Sequence, residues 1–186
     1  ILNAKIDGEG NFRNKLDIKT AGLISINQFQ FGPSVYEDYG SFQRLVLDFT
    51  EANPAGKIYR IDSIMLDRPY FRYERYDSLD NLSLMFGKRG SKKGIKSDQA
   101  QFNLILKIAE YLQQLLRNFA QSDYKIDKFT VYKGNFVFND FNPYEKFVVD
   151  AMPVQISGDS IKKSNRRFKL AVRAGARHYG SMDVHV

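Results

Sequence analysis

The feature that most constrains this chain is a match of the sequence to itself. The stretch Tyr59-Arg-Ile-Asp-Ser-Ile-Met-Leu-Asp-Arg-Pro-Tyr-Phe-Arg-Tyr73-Glu-Arg-Tyr-Asp77 lies over Tyr124-Lys-Ile-Asp-Lys-Phe-Thr-Val-Tyr-Lys-Gly-Asn-Phe-Val-Phe138-Asn-Asp-Phe-Asn142, 65 residues further on. The first Tyr, the Ile-Asp pair and the first Phe are identical, and Arg60 with Lys125 or Tyr76 with Phe141 keeps the chemistry. Repeats of this kind stack into an extended sheet, each unit burying its neighbour's edge.

Within each copy the apolar residues alternate, which marks strands, and the phase inverts halfway. A two-residue turn at Lys133-Gly134 accounts for the inversion, placing Val131 opposite Phe136 and Phe129 opposite Phe138. In the first copy Pro69 cannot take the positive φ of a type I′ turn, so a four-residue turn from Asp67 to Tyr70 pairs Leu66 with Phe71 and Ile64 with Tyr73. The expectation is two hairpins, about 57–77 and about 124–142. Each carries one greasy face: Ile64, Leu66, Phe71 and Tyr73 in the first, Phe129, Val131, Phe136 and Phe138 in the second.

The flanking sequence alternates too, through Ile24 and Ile26, Phe29 and Phe31, Leu45, Leu47 and Phe49, and later Val154, Ile156, Phe168, Leu170 and Val172. A phase change at Asn27-Gln28 predicts a bulge or a short connection. Residues 87–97 read as a Gly- and Lys-rich solvated loop. Its spacing fails as a phosphate-binding loop, because Gly94 is followed by Ile95. Ser97 or Asp98 can cap a helix over about 98–120, whose stripe is Ile105, Ile108, Ala109, Leu112, Leu116 and Phe119. The fold class expected is mainly β (α+β): a twisted antiparallel repeated-hairpin sheet or groove, with one long amphipathic helix packed on or across it. The sequence leaves open whether that helix is core or lid. Residues 1–186 read as a single domain cut from a longer chain.

Charge bears on partners. The net charge is +7, from 28 Lys and Arg against 21 Asp and Glu. Nine of the basic residues fall in two acid-free runs: Lys88, Arg89, Lys92, Lys93 and Lys96, then Lys162, Lys163, Arg166 and Arg167. The 19 positive and 21 negative residues that remain are near balance. These nine are the candidate headgroup or anion contacts. Cysteine is absent, and the two histidines, His178 and His185, read as surface residues rather than as a zinc site or a catalytic triad partner. The expectation is a protein without catalytic residues, cofactor or metal, and not an enzyme.

The hairpins resemble the AsmA-like superfamily, the group that includes TamB and the large bridge-like lipid-transfer proteins, and more narrowly a bacterial AsmA-type domain of unknown function. The carrying stretches are Ile61 to Glu74, the following Leu79-Asp80-Asn81-Leu82-Ser83, and Ile126 to Asp140. Coverage is about 57 to 158, and the motif is degenerate, with no catalytic signature. The resemblance implies a periplasmic segment, anchored to the inner membrane through an N-terminal helix missing from this chain. It implies an apolar β-groove that handles phospholipid, with neighbouring repeats of the same longer chain as further partners. The eight greasy residues are then lipid-facing or core, and the same residues packed under the helix give a closed core. The alternatives are a module binding anionic surfaces or nucleic acid through the basic loops, and a purely structural or interaction domain. Nucleic acid is not the expected partner, because the basic residues cluster in loops instead of interleaving with an aromatic sheet surface.

Overall fold

The structure, a computed structural model, describes residues 1–11, 17–32, 38–76, 80–81, 117, 119–141, 147–165, 169–176 and 180–185. These are mainly β. Nine strands follow in order: β1 (Leu2–Asn11), β2 (Asp17–Phe31), β3 (Gly40–Asn53), β4 (Ile58–Asp67), β5 (Tyr70–Arg75), β6 (Asp123–Asp140), β7 (Phe147–Lys162), β8 (Lys169–Ala176) and β9 (Gly180–His185). They make one sheet in the order β1-β2-β3-β4-β6-β7-β8-β9, with β5 continuing the line of β4 between β3 and β6. Neighbours are antiparallel except where β4 and β5 meet β6, and there the pairing is parallel.

That parallel seam is where the two repeat copies meet. Ile61 pairs with Ile126, Ile64 with Phe129, Leu66 with Val131, Phe71 with Phe136 and Tyr73 with Phe138. Each residue lies beside its own counterpart in the repeat. The expectation of hairpins is therefore corrected: neither copy folds back on itself, and the repeats stack side by side. Lys133 and Gly134 lie inside β6, where the register with β7 shifts, and Lys133 alone adopts a left-handed φ of 52°. Arg68, its counterpart between β4 and β5, has a φ of 48°. A single left-handed residue makes a bulge, and a bulge inverts the phase of a strand just as a turn does. The periodicity could not tell the two apart.

The bulges line up. Gln28 in β2 has a φ of 57°, so the phase change at 27–28 is an irregularity within one strand. Pro69 and Pro153, which cannot donate to a ladder, both sit on this line. Asn135 N donates to Pro69 O at 2.7 Å and Arg68 N to Tyr132 O at 2.7 Å, carrying the seam across the irregularity. Because the strands invert together, the apolar face stays on one side. Above the line one row runs Leu2, Ile26, Leu45, Leu66, Val131, Ile156, Val172. Below it Phe31, Gly40, Phe71, Phe136 and Ala151 continue that face. The opposite face is polar, with a row of Lys5, Leu23, Asp48, Ser63, Lys128, Asp159 and Lys169.

The buried cluster of the described residues lies at one end of the seam. Phe49, Ile61 and Ile126 are buried together, with Ile24, Leu47, Ile64, Phe129, Ile161 and Phe119 packed around them. Asp62 and Asp127 are stepped over by the ladder at this level, which lets Ile61 and Ile64 share a face although they are three residues apart. The expected helix over 98–120 lies outside the described residues apart from its end, where Arg117 and residues 119–121 are helical. The loop 87–97 also lies outside them.

Asn81 closes the open side of β5. It is fully buried, its amide nitrogen donates to Arg72 O at 2.7 Å, and its Oδ1 accepts from Glu74 N at 3.1 Å. One side chain thus satisfies the donor and acceptor that an adjacent strand would have taken. Truncation in Asn81→Ala leaves the buried Glu74 N–H and the part-buried Arg72 carbonyl without this partner, and about 2–3 kcal/mol of stability is lost, read from urea unfolding. A Cβ at Gly134 would lie 3.1 Å from a Phe136 ring carbon and 3.3 Å from Pro69 Cγ. Gly134→Val is expected to cost about 1–3 kcal/mol through overpacking, with β content retained in far-ultraviolet circular dichroism.

Candidate functional site

The eight residues singled out by the repeat are brought together as four in-register pairs on the seam. Ile64 and Phe129 join the core, and Val131 is the most buried of the eight at 4% exposure. Below the bulge line the pairs are aromatic. Phe71 and Phe136 have ring centroids 6.5 Å apart, and Tyr73 stacks on Phe138 at 5.8 Å and 13°. Phe147 meets the far side of Phe138 edge-on at 6.4 Å, and Phe29 stacks on Phe42 at 4.9 Å on the β2–β3 side. The result is an aromatic floor spanning β2 to β7. Phe29, Phe71 and Phe147 remain exposed on it, at 45%, 37% and 53%.

The other end of the apolar face is occupied by the chain itself. Phe119 packs against Tyr124 at 4.7 Å and Tyr59 at 5.6 Å, over the Ile61 and Ile126 core. The apolar face thus has a sealed end under Phe119 and an aromatic end beyond the bulges.

On the polar face beside the aromatic floor lies a network around Glu74. Its carboxylate accepts from Tyr76 OH at 2.8 Å and from Asn139 Nδ2 at 3.4 Å, and lies 3.4 Å from Arg72 Nε. The Arg72 guanidinium also rests over the Tyr39 ring at 5.0 Å. Tyr76 stacks on Phe141, its counterpart in the second copy, at 5.4 Å. Burial, and the hydrogen bond to the Glu74 carboxylate, push the Tyr76 phenol up to about 12. Nothing in the sequence marked Glu74 and Asn139 as partners, though their separation of 65 residues was a signal available in the repeat.

Of the basic candidates, Lys162 and Lys163 are exposed at the end of β7 and in the turn after it, and Lys163 Nζ donates to Gln121 O at 2.6 Å. Arg166, Arg167, Lys88, Arg89, Lys92, Lys93 and Lys96 lie outside the described residues, as does His178. Two concavities occur elsewhere. One of about 450 Å³ is lined by Asp7, Glu9, Lys19, Thr20, Thr50 and Glu51, and one of about 290 Å³ on the polar face by Thr130, Tyr132, Gln155, Ser157 and Arg173. Neither includes the aromatic floor. Among the described residues no cluster of three His, Asp or Glu side chains is placed to hold a metal, and no helix is long and apolar enough to cross a membrane.

Neither a protein-family model nor a curated protein sequence matches this chain.

The Tyr76 phenol gives a pH test of the network. A folded-state value raised above the ordinary 10 means its contribution is full below pH 10 and is lost as pH rises towards about 12. Alkaline unfolding followed by tyrosinate absorbance should show this loss, and Tyr76→Phe should flatten the stability profile across that window.

Proposed function

We propose that this chain is a non-enzymatic lipid-handling segment, using the aromatic end of its apolar face to hold the acyl chains of a phospholipid. The observation that carries the reading is the continuity of that face. One-sided sheets ordinarily bury their apolar side, and here large apolar groups such as Phe29, Phe71 and Phe147 stand exposed on it. An acyl chain laid there gains about 0.8 kcal/mol for each methylene removed from water. The polar face opposite carries interleaved charges and suits solvent.

The AsmA-type resemblance belongs with this reading, and so do its periplasmic setting, an inner-membrane anchor outside this chain and flanking repeats that prolong the groove. In the same picture Phe119 covers the sealed end. Lys162 and Lys163, with the other basic candidates, supply contacts for phosphate headgroups.

Native mass spectrometry after gentle purification tests the proposal. The expected result is co-purified phospholipid, with Phe71→Glu and Phe29→Glu each lowering occupancy at least several-fold. Both positions are partly exposed, so the unfolding midpoint should move by less than about 1 kcal/mol equivalent. Lipid absent from this chain and from a longer parent protein alike would sink the reading.

A further inference from the structure

The concavity of about 290 Å³ on the polar face plays no part in holding lipid. It lies over β6, β7 and β8, with β4 on one side and β9 on the other, inside the sheet. One wall is made by a bulge. Val131 pairs with Ile156 and Gly134 with Val154, so Tyr132 and Lys133 together stand opposite the single residue Gln155. Two residues against one re-aim the side chains of a strand. Here Lys133 Nζ comes to lie over the Tyr132 ring at 5.1 Å. Tyr132 lines the concavity and Lys133 does not, so Lys133 props the ring from behind. Tyr132 is 44% exposed. Arg173, exposed on β8, pairs with Gln155 and forms the opposite wall.

The floor is low because one row of side chains is short. Thr130, Ser157 and Ala171 lie side by side across the three strands. Beyond them the row Lys128, Asp159 and Lys169 places one acid between two cations. Asp67 beside Tyr132 and Asp183 beside Arg173 stand one strand outside. Among the described residues no acid lines the concavity itself.

We propose that this concavity binds an acidic sugar unit, a hexose ring bearing a carboxylate or a phosphate. The apolar C–H side of the ring lies against the face of Tyr132 that Lys133 leaves open. The Thr130 and Ser157 hydroxyls and the Gln155 amide supply both donors and acceptors for the sugar hydroxyls. The Arg173 guanidinium takes the anionic group through a charge-assisted, bidentate contact. Small-molecule sites run from about 300 to 1,000 Å³, so the volume suits one ring rather than an extended ligand. Single-stranded nucleic acid fits less well. It is held on several aromatic platforms in series, and Tyr132 is the one aromatic ring among the described lining residues.

Isothermal titration calorimetry on the whole chain tests the proposal, with trigalacturonate, glucose 6-phosphate, neutral maltotriose and an oligothymidylate as probes. Saturable binding of an acidic sugar is expected, weakening as salt rises, and the tighter of the two acidic probes names the anion. Maltotriose should bind at least about tenfold more weakly. Tyr132→Ala and Arg173→Gln should each weaken binding about tenfold, which corresponds to about 1.4 kcal/mol, with far-ultraviolet circular dichroism unchanged. Arg44→Gln removes an exposed cation from the same face outside the concavity and should leave binding as it was. Failure of both acidic sugars to bind overturns the proposal. An equal loss in Arg44→Gln also overturns it, because the attraction is then diffuse charge. Tighter binding of the oligothymidylate overturns it in favour of nucleic acid.

Discussion

The structure depends on the parallel ladder between two copies of one sequence. In such a ladder every residue lies beside its own counterpart, which rewards apolar and aromatic positions and penalises charged ones. Phe71 meets Phe136 as a tilted pair, and Tyr73 stacks on Phe138 and Tyr76 on Phe141, like on like. The charged positions escape self-repulsion in two ways. Some have changed sign or lost charge between copies, as in Arg75 with Asp140 at 3.7 Å and Glu74 with Asn139 at 3.4 Å. Others are drawn aside. Arg60 pairs with Lys125, but Arg60 is held by Asp123 at 2.6 Å and Lys125 by Asp127 at 2.7 Å.

The same ladder dictates the shape of the apolar face. Two parallel strands must carry their irregularities at the same level or lose register. The bulges at Arg68 and Lys133 are therefore matched, and β2 and β7 follow with Gln28 and Pro153. Had only some strands inverted phase, the face would have broken into alternating apolar and polar blocks. Because inversion is collective, aliphatic rows above the line pass into aromatic rows below it without a polar interruption. The rows below the line are the more aromatic, while Phe49 and Phe129 lie above it among Ile and Leu.

Much of this was legible in sequence, and the failures have physical reasons. The repeat, the strand character and the eight greasy residues were legible, but their pairing was not: each lies beside its counterpart in the other copy and not across a turn. The turn at Lys133-Gly134 did not survive, because a bulge and a two-residue turn leave the same phase change. Long-range pairing was hidden for a related reason: a hairpin and a stack of copies satisfy the same backbone groups. Asn81 lay within the Asp-Asn-Leu stretch, yet its work as a surrogate strand depends on where β5 ends, which no local pattern encodes. Phe29, Phe42 and Phe147 join the aromatic floor only through the collective inversion, and so no single window of sequence placed them there.

A sheet apolar on one side has a stability that depends on what lies on that side. Among the described residues only Phe49, Ile61, Ile126, Val131 and Val154 are buried apolar side chains, most of them near the seam. Burying each of these contributes about 1.5–3 kcal/mol against chain entropy. Phe119 over Ile61 and Ile126 adds to it locally, but the aromatic half gains nothing from that contact. A ligand that occupies the aromatic half binds only the folded sheet, because the floor exists only when five strands, β2, β3, β5, β6 and β7, are in register. Its binding free energy is then added to folding stability, about 2.7 kcal/mol at a hundredfold excess over the dissociation constant. On the proposed function, holding an apolar ligand and holding the lower half of the sheet together are one equilibrium.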